Sequence, residues 1–415
     1  MITPYHEGLW DVSPHNFSDE VRAGMNLPAS VSILDVTLRE GRQVDGVSLS
    51  RADVVEVARR LGEAGVSMIE MHHDEPAEMQ EVKKLGLDLK IQAIVHPLAA
   101  TTEAKALEAV QRCQDNGADI VCFAFALSTH GFPTYKLGGA DITPEEALDL
   151  GAAAVRAAKS QGATVSCNLL DIGRVELDWL RSQATTLADA GADIIRLDDI
   201  ASPCSPAVIG YLTREVKNLI PDTPVAMHVH NDFGLSSALA LAALEGGAEI
   251  IEASVNGLGE RCGVPNLAEL VVAVELLYGL DTGIDMSALT ALSRFVADVF
   301  NRPMSPTLPV AGELAFAHAI EGHHLFPDNP FFHNPFTAQL VGNADYVPLC
   351  HYSGPFAVRH KCRELGLGEL SHEAATEVAT RVKKELRLRR HPIPDEVFTE
   401  FVESARNGHD ARRTT

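Results

Sequence analysis

The sequence predicts an α/β protein: a (β/α)8 TIM barrel followed by a smaller, mostly helical C-terminal region. Three observations predict it. Eight short apolar runs follow one another, amphipathic stretches separate them, and one phrase recurs: "AGVSMIEM" (64–71), "NGADIVCF" (116–123), "AGADIIRL" (190–197) and "GGAEIIEA" (246–253). Each copy gives a small residue, a glycine, a short residue and a β-branched run, the pattern of a helix C-cap turning into a buried strand.

In chain order, residues 1–30 read as an extension and the barrel is expected over 31–285. "SILDVTL" (32–38) is the first strand. "SRADVVEVARRLGEAG" (50–65) is the first helix, because Ser50 can cap its first turn and Val54, Val57, Ala58 and Leu61 fall on one face. The other strands are the four repeated phrases with "LKIQAIVH" (89–96), "TVSCNLL" (164–170) and "PVAMHVH" (224–230). Eight strand–helix units favour closure into a barrel over the competing doubly wound sheet. Beyond the barrel, 286–345 reads as a linker and first subdomain, 346–408 as a helical subdomain with helices near 371–386 and 395–406, and 409–415 as a disordered tail.

Composition narrows the partners. The net charge is −23, and no run of lysines or arginines could follow a phosphate backbone, so nucleic acid is not an expected partner. The seven cysteines (Cys113, Cys122, Cys167, Cys204, Cys262, Cys350 and Cys362) form no CxxC and are odd in number, as expected of reduced thiols in a cytoplasm. The opening "MITPYHEGLWDVSPHNF" is polar and proline-bearing, unlike a secretory signal, and no apolar run approaches the roughly 20 residues of a membrane span. A soluble chain is expected.

Barrels of this kind build their sites from the loops after the strands. Those strand ends carry Arg39 and Glu40, then Glu70, His72 and His73, then His96, Asp171, Asp199, His228 and His230, and Asn256. One polar residue at a strand end is usually a cap or a solvated group, whereas a ring of them marks a site. In "HVHND" (228–232) the strand period of two turns His228 and His230 the same way. Neutral imidazoles at that spacing can share one divalent metal, and Glu40 across the mouth would complete a facial set with positions left for substrate. Arg39 offers a guanidinium fork to a carboxylate or a developing alkoxide; the plainer reading of Arg39 and Glu40 is a surface ion pair. With Arg39, Arg42, His130 and Lys136 the histidines would bias the mouth positively, although any one of them alone is as readily a half-buried structural group.

The stretches "DVTLREGRQ" (35–43), "HVHNDFGLSSALALAALEGGAEIIEASVNGLGER" (228–261) and "ELAFAHAIEGHH" (313–324) resemble the signatures of the homocitrate, isopropylmalate and citramalate synthase family, within the DRE-TIM metallolyase superfamily. The likeness runs from about residue 30 to 405 and includes "HYSGPFAVRHKCRELGL" (351–367), similar to the subdomain these synthases carry after the barrel. The resemblance implies a Claisen-type condensation, in which an acyl-CoA, usually acetyl-CoA, adds through its methyl carbon to the ketone of a 2-oxo acid and the thioester is then hydrolysed. It implies that Glu40, His228 and His230 hold zinc, magnesium or manganese, that Arg39 stabilises the alkoxide, and that His323, often from the neighbouring subunit of a homodimer, helps remove the methyl proton. A glutamate after Arg39 leans towards the homocitrate branch.

Departures from the family pattern bear on the substrate. Leu169-Leu170-Asp171 stands where the family has Ser-Glu-Asp, and Asp198-Asp199-Ile200 where it has Ala-Asp-Thr. His72-His73 replaces a Thr-Ser pair, His96 replaces an arginine, and Val264 is apolar as in homocitrate synthases. Together they imply a rebuilt acceptor pocket, suited to a 2-oxo acid with an anionic distal group, such as 2-oxoglutarate, oxaloacetate or a phosphonate-bearing analogue. The alternative is a metal-dependent carbon–carbon lyase or aldolase on the same barrel. Lyases of 3-hydroxy-3-methylglutaryl-CoA lack the long region after the barrel, which this chain has, and carry a cysteine-bearing glycine loop, which this chain lacks although Cys262 lies nearby in "GERCG". A third reading, a catalytically silent regulatory relative, is allowed by Leu170 and Ile200 and opposed by Arg39, Glu40, both histidines and His323. No appended regulatory domain is expected.

Overall fold

The computed structural model describes residues 3–95, 102–128, 130–131, 142–320, 322, 330–389 and 391–413. The chain divides into two compact units, one built on residues 12–304 and one on 305–415 together with 6–11.

The first unit is the expected closed parallel barrel. Its strands are β1 (Ser32–Asp35), β2 (Met68–His72), β3 (Lys90–Val95), β4 (Ile120–Phe125), β5 (Thr164–Leu170), β6 (Ile194–Asp199), β7 (Val225–Val229) and β8 (Ile250–Ala253). Each pairs with the next in sequence, and β8 returns to β1 with Ile250 opposite Ser32 and Ala253 opposite Asp35. A helix follows every strand: α1 (Arg51–Glu63), α2 (Pro76–Lys83), α3 (Glu103–Asp115), α4 (Pro144–Ser160), α5 (Leu177–Asp189), α6 (Pro206–Leu219), α7 (Ser236–Gly246) and α8 (Leu267–Ala273). The same unit contains α9 (Leu289–Val299).

Local chemistry explains the boundaries. Ser50 and Asp53 form a reciprocal capping box at the start of α1, Thr143 and Glu146 do so at α4, and proline opens α2, α4 and α6, where its missing N–H costs nothing. Gly65, Gly117, Gly191 and Gly247, the glycines of the recurring phrase, end their helices with φ between +92° and +109°.

Inside the barrel, side chains stack in layers. Leu34, Met68, Ile120, Ile194, Ala226 and Ile250 make a buried apolar floor at the strand N-termini. Two residues further along, on the same face of each strand, stand Glu70, Cys122, Arg196, His228 and Glu252, all buried. The interior is therefore apolar below and charged above, and the charged half opens towards the loops that follow the strands.

In the second unit α10 (Pro355–Glu364), α11 (His372–Leu388) and α12 (Asp395–Arg413) enclose a core of Val358, Cys362, Val378, Val382, Phe398 and Val402. The last helix reaches Arg413, seven residues past the end of the 395–406 helix read in the sequence. No helix of the described residues is long and apolar enough to cross a membrane.

Candidate active site

His228 lies within β7 and His230 one residue past its end, and the period of the strand turns both rings to the barrel interior, where they are buried. Their Nε2 atoms face each other at 3.2 Å. Glu40, on the turn after β1, brings its carboxylate to the pair, so that one ligand atom from each of the three lies within 4.8 Å of the others. The turn is held by the Glu40 amide donating to Val36 O (2.7 Å), and the carboxylate accepts from the Glu260 amide at 3.1 Å and from the Arg39 guanidinium.

These residues fit a divalent cation on two grounds. With His228 Nδ1 turned to the Glu252 carboxylate, its Nε2 is the nitrogen left to ligate, and it faces His230 Nε2 with the Glu40 carboxylate alongside, a nitrogen and oxygen donor set suited to a divalent ion. Charge is the second ground. Glu40, Glu70, Asp198 and Glu252 are buried carboxylates, and Arg39 and Arg196 are the guanidiniums paired among them, which leaves an excess of two negative charges for a divalent ion to balance.

The titration of the pair follows from the same field. Burial pulls His228 down, but Asp198 and Glu252 outweigh it and raise the ring above the ordinary histidine range. Burial and the neighbouring His228 push His230 down to about 4. Burial alone would raise Glu40, yet Arg39 and the two histidines hold it below the usual carboxylate value. Glu70 is likewise opposed by burial and is lowered to about 2 by Arg196 and Arg39.

The remaining expected site residues divide. Glu70 joins the cluster, accepting from Arg39 Nε (2.5 Å), Arg196 Nη1 (2.8 Å) and Gln92 Nε2 (2.9 Å). His72, two residues along the strand from Glu70, lines a cavity of about 320 Å³ with Arg39, Arg42, Gln43, Ser48 and Glu75. His73 packs beside it, ring centroids 4.7 Å apart, with its Nδ1 3.0 Å from Ile94 O and its Nε2 2.9 Å from Asp74, and one ligand atom each from His72, His73 and Asp74 lies within 4.8 Å of the others. Asp171 spends both oxygens on its own neighbourhood, accepting from Ser128 (2.6 Å) and Arg174 (2.7 Å). Asp199 packs against Cys204 and Gly173, and burial pushes its carboxyl up to about 6. Asn256 takes a left-handed corner after β8 and donates to Ser293 O in α9 at 2.8 Å. His96, Lys136 and His323 lie outside the described residues.

Sequence reasoning passed over four groups of this site. Arg196 and Glu252 were counted inside apolar runs, and Asn168 and Asp198 were not weighed as partners. Asn168 Nδ2 donates to Asp198 Oδ2 at 2.9 Å, while Asp198 Oδ1 has no partner among the described residues. The available signal was a polar residue at an inward position of an otherwise apolar strand, since such a group is retained only where something pairs with it.

The fold and much of the sequence are shared with known proteins. The chain belongs to the HMGL-like family, whose model matches residues 30–296. It is 31% identical over 380 residues, 90% of either chain, to homocitrate synthase AksA of Methanocaldococcus jannaschii. It is 32% identical over 372 residues to 2-isopropylmalate synthase 2 of Caldanaerobacter subterraneus, covering 88% of this chain and 93% of that one. Among solved structures, the HMG-CoA lyase of Brucella melitensis shares the barrel, with TM-score 0.56, 19% identity, and coverage of 66% of this chain and 99% of that chain.

Proposed function

We propose that this chain is an acyltransferase that condenses acetyl-CoA, or a close acyl-CoA, with a 2-oxo acid and then hydrolyses the thioester with water, giving a 2-hydroxy-2-alkyl di- or tricarboxylic acid and free CoA. The observation that carries the reading is the buried Glu40, His228 and His230 cluster beside Arg39, in a chain that matches homocitrate and isopropylmalate synthases over most of its length. Glu40, His228 and His230 would hold one zinc, magnesium or manganese ion. When bound, such an ion supplies Lewis-acid polarisation of the ketone and orients the 2-oxo acid.

The protein's own groups do the rest. Arg39 is fixed by Glu40 and Glu70, so its remaining N–H groups meet the oxygen that becomes negative as the carbon–carbon bond forms. His72 and Arg42 line the cavity on the Arg39 side and would receive an anionic distal group of the acceptor. His96 is assigned to the same task, and His323 to removal of the methyl proton of acetyl-CoA. Glu70 acts through Arg39, and His73, Asp171, Asp199 and Asn256, expected as substrate contacts, are engaged by neighbouring groups and hold their own loops in place. We read the assembly as a cytoplasmic homodimer in which His323 reaches the partner's barrel.

The test is release of free CoA from acetyl-CoA against a panel of 2-oxo acids with zinc, magnesium or manganese. Dianionic acceptors such as 2-oxoglutarate and oxaloacetate are expected to lead. If 2-oxoisovalerate leads, the anionic pocket is misread; if no acceptor releases CoA while a 2-hydroxy acid or aldol is cleaved, the lyase reading replaces this one.

A further inference from the structure

Arg196 is wholly buried in the middle of β6, where the floor and its neighbours would otherwise favour an apolar side chain. A buried guanidinium is costly unless it is paired on several sides. Its Nη1 donates to Glu70 Oε1 at 2.8 Å and its Nη2 to Glu252 Oε2 at 2.5 Å. The same Glu252 oxygen lies 2.7 Å from His228 Nδ1, and the other Glu70 oxygen accepts from Arg39 Nε. Arg39 in turn donates to Glu40. The order His228, Glu252, Arg196, Glu70, Arg39, Glu40 is thus a buried chain of alternating charge that begins and ends on two of the three proposed metal ligands.

This geometry fixes how His228 is used. A carboxylate accepts only, so at 2.7 Å the His228 Nδ1 must carry the proton; a lone pair there would face a negative oxygen. The Arg196 Nη2, 3.2 Å from the same nitrogen, is then a close neighbour and not its donor. With Nδ1 protonated, the metal-binding electron pair is on Nε2, the atom turned towards His230. Glu252 would slide or turn without Arg196, because its other oxygen has no partner among the described residues.

We infer that Glu252 and Arg196 are positioning residues: Glu252 selects the metal-binding tautomer of His228, and Arg196 holds Glu252 in place while bracing Arg39 through Glu70. The inference rests on the proposed metal role of Glu40, His228 and His230, and its test reads metal affinity and not turnover. Apoprotein is titrated with Mn²⁺, free ion being followed by electron paramagnetic resonance, for wild type, Glu252→Gln, Arg196→Lys and the double variant. Gln fills the space of Glu but cannot accept from both Nδ1 and Arg196 with a full charge. Each single variant should bind Mn²⁺ about 10- to 100-fold more weakly. The double variant should lose less than the two single losses multiplied together, because both changes break the same Arg196–Glu252 bond.

Circular dichroism and melting curves of the apoproteins establish that the variants are folded. If Arg196→Lys does not fold, Glu252→Gln decides alone. A second measurement needs no variant: nitrogen-labelled histidine in the wild-type protein loaded with Zn²⁺ should show a proton on Nδ1 of His228 and none on Nε2. Wild-type binding together with Glu252→Gln binding within about threefold of it overturns the positioning role alone, as does an unprotonated Nδ1. Failure of the wild type to bind Mn²⁺, zinc or magnesium overturns the metal site and this inference with it.

Discussion

Gly263 belongs to the loop after β8 that carries Glu260 to Glu40. It sits at φ +87°, and a Cβ built there would lie 1.9 Å from Gly257 O. An ordinary contact needs about 3.4 Å or more, so Gly263→Ala must open the loop by about 1.5 Å. The loop cannot open freely. The Gly263 amide donates to Glu260 O (3.0 Å), its carbonyl accepts from the Asn231 amide (2.9 Å), and the Val264 amide donates to that same Gly257 O (3.2 Å). The Glu260 amide, which donates to Glu40 at 3.1 Å, moves with them. Displacements of about 1 Å near reacting groups cost about 100-fold in rate, so kcat should fall at least that far and retained metal should fall with it. Gly234→Ala is the control. Gly234 has a similar φ of +70° but no heavy atom within 4 Å of its built Cβ, so it should show only the left-handed backbone cost of about 1–2 kcal/mol, with kcat unchanged. Metal content by mass spectrometry, CoA release and a melting curve for both variants make the comparison. A Gly263→Ala enzyme with kcat within threefold of wild type, or a Gly234→Ala enzyme equally impaired, would refute the argument.

Glu40→Ala should lose bound metal and activity while the barrel stays folded, because one of three ligands is gone; full metal content in that variant would dissolve the constellation. Glu70, held at about 2 against an ordinary 4.5, contributes stability that is fully present above about pH 4.5 and is lost as pH falls through about 2, a difference of about 3 kcal/mol; urea unfolding at about pH 5.5 and about pH 3 should show a steeper acid loss in wild type than in Glu70→Gln. His323→Ala should abolish turnover yet still bind the 2-oxo acid by calorimetry, and loss of both together would place His323 in acceptor binding instead. Light scattering should give a dimer at micromolar concentration; a fully active monomer contradicts the proposed use of His323 across subunits.

The barrel was legible because its signals are periodic. Capping serines and threonines, proline at first helical positions and the small-glycine phrase each depend on a few adjacent residues, and all eight strands lie within or beside the runs that predicted them. Glu40, His228 and His230 were legible for the same reason: i and i+2 on a strand must point one way, and a carboxylate after the first strand must meet them in a closed barrel. Arg196 and Glu252 were not, since each is one charged residue in an apolar strand and its partners come from other strands, 126 and 56 residues away for Arg196 and 56 and 24 for Glu252. His72 and His73 show a second limit. The two rings do lie together, 4.7 Å apart, but His73, just beyond the end of β2, is held by Ile94 and Asp74, and of the two His72 is the one that lines the cavity beside Arg39.

The apolar floor of Leu34, Met68, Ile120, Ile194, Ala226 and Ile250 closes the barrel beneath its buried charges. Above it, Glu70, Arg196 and Glu252 are wholly buried, so that layer has no bulk water to stand in for a lost partner. Removing one charge there passes the cost to the groups it leaves behind, and the layer answers to substitution as one unit.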